Sequence, residues 1–196
     1  FIKAGAAVAA AHALPLPAQQ PPAKSRVVVA KGDPRECVRR CVAALGGIGA
    51  FVKEGSRVLI KPNMGFPNPP EWGSTTHPEV VRAVAELCVE AGARRIIIFD
   101  NPLRDAQLCK EKSGIGDAVK DIKSVVVAMP DDPKFYQETP VPGAKELKST
   151  AVAKEVLKAD CLINVPAAKN HSATGVSLGI KIDQQHALVL RGQIGA

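Results

Sequence analysis

Three sets of polar residues accompany apolar runs in this chain. Lys61 and Asn63 come at the end of Arg57-Val-Leu-Ile60, Asp100 follows Arg95-Ile-Ile-Ile-Phe99, and Asn164, Lys169 and His171 lie at and after Cys161-Leu-Ile163. An ammonium holds an anion, and a carboxylate orients or opposes a base. An imidazole, with an unperturbed pKa of about 6.5, moves protons near neutral pH. These types point to acid/base chemistry on an anionic molecule. His171, Lys169 and Asp100 are the candidate catalytic set, with His171 transferring the proton and Asp100 orienting or opposing it. A further segment, Ser74-Thr75-Thr76-His77, precedes Pro78-Glu79. Thr76 and Glu79 have capping-box spacing, with Thr76 as N-cap and Pro78 tolerated in the first turn. A helix start also presents free backbone N–H groups and a positive dipole end, which suits an anion. Lys61, Asn63, Thr75, Thr76, His77 and Asn164 are the candidate ligand contacts.

These residues can act together only if the runs before them are parallel strands. Ligands of open α/β sheets bind outside the carboxyl ends of the strands. The expected strands are Arg26–Ala30, Arg57–Lys61, Arg95–Phe99, Lys123–Ala128 and Cys161–Asn164. They are solidly apolar and alternate with helical stretches, which predicts an α/β fold with a mostly parallel sheet and helices on both faces. Helices are expected from Pro34 to Leu45, from Thr76 to Gly92, over 105–121 and over 150–158. The intervening loop after Lys61 carries Pro62, Pro67, Pro69, Pro70 and Trp72, and long loops of this kind are commonly functional. Residues 130–148 read as irregular with room for a hairpin. Gly46-Gly47-Ile48-Gly49 follows a helix instead of a strand, so it reads as a helix stop and not a dinucleotide fingerprint.

Composition removes several classes. The chain has 196 residues, 46% of them hydrophobic and 23% charged, an ordinary globular balance. No apolar stretch approaches the roughly 18 residues of a membrane span. The net charge is +7, but only five Phe, one Trp and one Tyr are present. Nucleic-acid binding wants a basic stripe with stacking aromatics. A small anionic ligand or cofactor is the better partner. Cys37, Cys41, Cys88, Cys109 and Cys161 include no C-x-x-C, so no zinc ribbon or ferredoxin cluster is encoded. Cys37 and Cys41 read as small apolar helix residues. The sequence also has no G-x-S-x-G elbow, no phosphate-loop signature and no H-E-x-x-H. It names no cofactor, and its metal ligands, if any, are open.

The first 24 residues read as an export leader and linker, ahead of a single α/β domain over 25–196. Phe1-Ile2-Lys3 leads into an Ala-rich run, then Ala11-His12-Ala13 with small-x-small cleavage spacing, then a Pro-rich stretch. This resembles the second half of a twin-arginine signal, whose arginines would precede Phe1. The expected setting is periplasmic or otherwise extracytoplasmic, with the export machinery as a partner.

The chain resembles the DUF362 family (domain of unknown function 362). The likeness rests on Val58-Leu-Ile-Lys-Pro-Asn63, Thr75-Thr-His-Pro-Glu-Val-Val81, Ala91-Gly-Ala93 and Ile97-Ile-Phe-Asp100. It continues through Ala159-Asp-Cys-Leu-Ile-Asn-Val-Pro166, Lys169-x-His171 and Gly175-Val-Ser-Leu-x-x-Lys181. The resemblance implies an α/β fold of unassigned activity, adds Lys181 to the candidate ligand contacts, and implies that many members carry twin-arginine leaders and some carry iron–sulfur modules. Two departures stand out. The family pattern resembles Pro-Lys-x-Lys-Thr-His, where this chain has Pro166-Ala-Ala-Lys169-Asn-His171. Ile182-Asp183-Gln184 follows Lys181 where the family continues with Asn and a glycine-containing segment, so the C-terminal part of the domain is expected to be missing or altered. Two further functional readings stay open: a metal-bound redox or hydrolytic site on His77, Asp100 and His171, and a non-catalytic periplasmic ligand-binding domain.

Overall fold

Four of the apolar runs pair into one parallel sheet. The computed structural model describes residues 26–130, 132–171 and 175–177. The leader, Lys181 and the tail beyond it lie outside the described residues. In chain order the elements are α1 (Pro34–Ala44), β1 (Arg57–Pro62), α2 (Pro78–Glu90), β2 (Arg95–Phe99), α3 (Ala106–Ser113), α4 (Ile115–Val119), β3 (Val125–Ala128), β4 (Tyr136–Pro140), β5 (Ser149–Ala153), α5 (Lys154–Leu157), β6 (Cys161–Val165), β7 (Lys169–His171) and β8 (Gly175–Ser177). Short 3-10 turns lie at Ile48–Ala50, Pro70–Trp72 and Pro133–Phe135. The main sheet runs β3-β2-β1-β6, and all its pairs are parallel. Two antiparallel hairpins, β4–β5 and β7–β8, stand apart from it. The fold is the expected α/β architecture.

Alternation along the strands builds two cores. Val58, Ile60, Ile96 and Ile98 face one side and pack with Val81, Val84, Ala85 and Cys88 of α2 and with Ile115 and Val119 of α4. Leu59, Ile97 and Phe99 face the other side and meet Val152 and Ala153 of β5 and Val156 of α5. Each such side chain contributes about 1.5–3 kcal/mol when fully buried. The first face is therefore covered by the 13-residue α2 and the short α4, the second by a single helical turn and a hairpin.

The structure corrects several sequence expectations. Arg26–Ala30 forms no strand, and Val27 and Val29 are 86% and 88% exposed. The helix expected over 150–158 begins only at Lys154, because Ser149–Ala153 pairs with Tyr136–Pro140 as the second strand of the hairpin. The 105–121 stretch is two helices broken at Gly114, whose φ is +69°. The segment after β6, expected as a loop, carries β7.

α2 ends on a glycine turn. Its C-terminus closes as a Schellman motif: Gly92 N–H donates to Val89 at 2.9 Å and Ala93 N–H to Cys88 at 3.0 Å. Gly92 sits at φ +78°, and a Cβ there would come 3.0 Å from Glu54 Cγ. α1 lies beside α2 through charge: Arg35 Nη2 reaches Glu86 Oε1 at 2.6 Å and Arg39 Nη2 reaches Glu90 Oε1 at 2.8 Å. Glu86 also accepts from Arg82 Nε at 2.9 Å. Burial pushes the Glu86 carboxyl up, but hydrogen bonds from Arg35 and Arg39 and the charges of Arg35 and Arg82 outweigh it and hold it below the usual carboxylate range.

Candidate functional site

The register of β1 against its neighbours sets where the polar residues fall. Ile60 is level with Ile98 of β2, and Lys61 with Asn164 of β6. Lys61 and Asp100 thus emerge at the carboxyl ends of adjacent strands. They meet there: Lys61 Nζ lies 2.6 Å from Asp100 Oδ1, with both side chains almost fully buried. The pair is closed by further bonds. Lys61 Nζ donates to the Pro62 carbonyl at 2.9 Å, Met64 N–H donates to Asp100 Oδ2 at 2.5 Å, and Asn101 N–H donates to Asp100 Oδ1 at 2.9 Å. This joins the ends of β1 and β2 to the loop after β1. Its charges face each other and not solvent.

A second knot ties β1 to β6. Asn63 N–H donates to Thr76 Oγ1 at 2.8 Å, and the Thr76 hydroxyl donates to the Val165 carbonyl at 2.7 Å. Thr76 N–H returns a bond to the Asn63 carbonyl at 3.0 Å. Asn63 Oδ1 accepts from Ala167 N–H at 2.9 Å. Thr76 is therefore not the N-cap of α2. His77 takes that position, and its Nδ1 accepts from Glu79 N–H at 3.2 Å. The physical reason is competition: the Thr76 hydroxyl is already used by two strand ends. The consequence for anion binding is direct. Pro78 has no N–H, Glu79 N–H is taken by His77, and Val80 and Val81 N–H both donate to the His77 carbonyl. The helix start keeps its dipole but offers none of these donors, a correction to the expected amide cradle.

The third group lies where the loop after β1 meets the segment after β6. Lys169 Nζ donates to the Ser74 carbonyl at 2.6 Å and stands 5.8 Å from the centre of the Phe66 ring. Thr75, beside Ser74, is 3% exposed, and its hydroxyl has no hydrogen-bond partner among the described residues. Asn68 Nδ2 donates to Ser74 Oγ at 2.9 Å and braces the loop. Lys169 and His171 are two apart on β7, so both side chains share one face of the hairpin. Both are half-buried while Asn170 between them is exposed.

The expected residues thus separate into parts. Lys61 with Asp100 and Asn63 with Thr76 are brought together as two buried knots. Thr75 and Lys169 lie at the same loop junction, with His171 on the face that Lys169 occupies. Asn164 instead lines a groove beside β6. Asp100 does not take up the expected orienting position, since both its oxygens are engaged by Lys61, Met64 and Asn101. His77, Asp100 and His171 form no ligand set: among the described residues no three His, Cys, Asp or Glu side chains cluster to hold a metal. Sequence reasoning missed Met64, fully buried with its amide on Asp100, and Phe66, the ring under Lys169. Their sole sequence signal was membership of the long Pro-rich loop. Trp72 is 72% exposed.

These strand ends lie inside the stretch that a family comparison matches. The model of the DUF362 family, described as a domain of unknown function, fits residues 58–182. The chain belongs to the DUF362 family. A relative, thylakoid-associated protein sll1697 of Synechocystis, is 31% identical over 144 residues. That match takes in 74% of this chain and 43% of the relative, so the chain spans less than half of its length. No helix among the described residues is long and apolar enough to cross a membrane.

Proposed function

We propose that this DUF362 chain binds a small anionic molecule at the carboxyl end of its sheet, between the loop after β1 and the β7 segment. Lys169 supplies the positive charge, the Thr75 hydroxyl supplies a hydrogen bond, and His171 exchanges a proton with the bound molecule. Lys61, Asp100, Asn63 and Thr76 brace the cleft from below. The observation that carries this reading is the Lys169–Ser74 bond, which sets an ammonium at the residue next to a buried hydroxyl with no hydrogen-bond partner among the described residues. A buried, unsatisfied hydroxyl costs about 1–3 kcal/mol, and an acceptor on a ligand would remove that cost. The α2 dipole adds a favourable field through its end, without donors.

The test is an amide-resolved NMR titration of the whole chain with inorganic phosphate and, separately, acetate. The expected result is saturable shifts at Phe66, Ser74, Thr75 and Lys169 that disappear in Lys169→Ala. Absence of saturable shifts there, or their persistence in Lys169→Ala, rejects the reading.

The working compartment proposed is extracytoplasmic. Phe1-Ile2-Lys3, the Ala-rich run and the cleavage-like Ala11-His12-Ala13 support it, and the relative's name, thylakoid-associated protein, is compatible with it. A reporter that fluoresces only after folded export, fused behind a twin-arginine pair followed by residues 1–24, tests this. Fluorescence confined to the cytoplasm rejects it.

A further inference from the structure

The sheet has an unfinished edge. β6 pairs with β1 on one side, and among the described residues nothing pairs with its other side. Parallel sheets in α/β folds are normally covered, and an open apolar edge strand is a template for another strand. Along this edge runs a groove of about 380 Å³, lined by Val42 of α1, Phe51, Leu87 of α2, and Cys161, Leu162 and Ile163 of β6. α1 above it is equally unfinished. None of its residues is buried, and Val38, Cys41 and Val42 are only half covered.

A run of suitable composition lies close by in the same chain. Arg26-Val-Val-Val-Ala30 is β-branched, yet Val27 and Val29 are 86% and 88% exposed. It runs antiparallel to α1: the Arg26 guanidinium donates to the Ala44 carbonyl near the helix end, and Cys41 Sγ donates to the Val28 carbonyl at 3.9 Å. Only Lys31, Gly32 and Asp33 then separate it from α1, an ordinary length for a strand-to-helix connection.

Chirality says where such a strand belongs. α1 lies on the same face as α2 and runs in the same direction, since Arg35 reaches Glu79 and Glu86 while Arg39 reaches Glu86 and Glu90. The β1–α2–β2 unit steps from β1 toward β2. Right-handed crossovers on one face all step the same way. A strand that leads through α1 into β1 must therefore lie on the β6 side of β1, parallel to it. The first free position there is the outer edge of β6.

We infer that the free edge of β6 is the docking site for the chain's own Val27–Ala30 segment, which adds to the sheet as a fifth parallel strand beneath α1. Docking buries the exposed valines and fills the groove. This inference is independent of the ligand cleft, which lies at the strand ends.

The test is hydrogen exchange by NMR on the whole chain, comparing Val28→Pro with Val28→Ile. Proline removes a ladder N–H, whereas isoleucine keeps the strand former. The expected result is slow exchange at the β6 amides that point away from β1, accelerated about tenfold or more in Val28→Pro and unchanged in Val28→Ile. Cross-strand proton contacts between 27–30 and 161–165 should vanish together with that protection. Because the segment lies outside the sheet in this structure, the amides of β1 and β2 should stay protected in both variants and report an intact fold. Edge amides that exchange freely in the unsubstituted chain overturn the inference. Protection indifferent to Val28→Pro also overturns it, as does protection that grows with protein concentration, the mark of a second copy on the edge.

Discussion

The ammonium of Lys61 and the carboxylate of Asp100 face each other at 2.6 Å across the ends of β1 and β2, both shielded from solvent. Removing one member leaves the other buried without its partner, which costs about 3–5 kcal/mol. Lys61→Met should therefore lower stability by about that amount in urea unfolding. Replacing both charges, as in Lys61→Met with Asp100→Leu, should recover most of it, because an apolar pair of similar volume is often neutral. A double variant no better than the single one would show that the carboxylate's bonds to Met64 and Asn101 N–H matter more than the ion pair.

Two adjacent threonines should respond in opposite ways. The Thr76 hydroxyl accepts from Asn63 N–H and donates to the Val165 carbonyl, so Thr76→Val strands two backbone groups. The expected loss is about 1–3 kcal/mol. The Thr75 hydroxyl is buried and has no partner among the described residues, so Thr75→Val should leave the free protein as stable or raise it by up to about 1 kcal/mol. The same change should weaken phosphate binding. Thermal melts of both variants with and without phosphate check the pair, and a destabilised Thr75→Val would mean the hydroxyl has a partner after all.

Periodicity made most of the sheet legible. Arg57–Lys61, Arg95–Phe99 and Cys161–Asn164 are short apolar runs bounded by turn residues, and each becomes a strand within a residue of its expected ends. The strand ends holding Lys61, Asn63 and Asp100 followed from that. What stayed hidden was pairing. Arg26–Ala30 has the same composition but no ladder here, because composition says that a run can pair and not which edge accepts it. The Thr76–His77 capping choice was hidden for a similar reason: Val165 lies 89 residues away from Thr76, and a local motif cannot register that competitor. The 149–153 strand was mistaken for helix because its Thr-Ala-Val-Ala content suits either state, and its partner β4 decided the matter.

Acid should loosen α1 before the sheet. Glu86 holds Arg35, Arg39 and Arg82, and those guanidinium groups keep its folded pKa below the ordinary value near about 4.3. Asp121, held at about 2 by its hydrogen bonds from Arg82, belongs to the same network. A depressed folded pKa contributes stability above the unfolded value and loses it as pH falls through the folded one. Melting temperature should thus be flat from neutral pH down to the unfolded carboxylate range and decline below it. Exchange of α1 amides should accelerate first. Glu86→Gln should lower stability at neutral pH and flatten the acid limb. An acid limb unchanged by Glu86→Gln would place the acid-sensitive group elsewhere.

The β7 face separates catalysis from architecture. Lys169 and His171 share that face, and Asn170 points to the other. The hairpin is three residues deep and stands outside the main sheet, so His171→Ala should change stability by no more than about 0.5 kcal/mol. If His171 exchanges a proton with the bound molecule, His171→Ala should abolish turnover of any carboxylate or phosphate ester found in a substrate screen, with phosphate binding kept. Lys169→Ala should lose binding and turnover together, and Asn170→Ala should keep both. The comparison is informative in each direction. Turnover retained in His171→Ala removes the imidazole from the chemistry while leaving the Lys169 charge in place. Binding lost in His171→Ala and kept in Lys169→Ala would reverse the two roles along the strand, because at a spacing of two residues either side chain reaches the same mouth of the cleft.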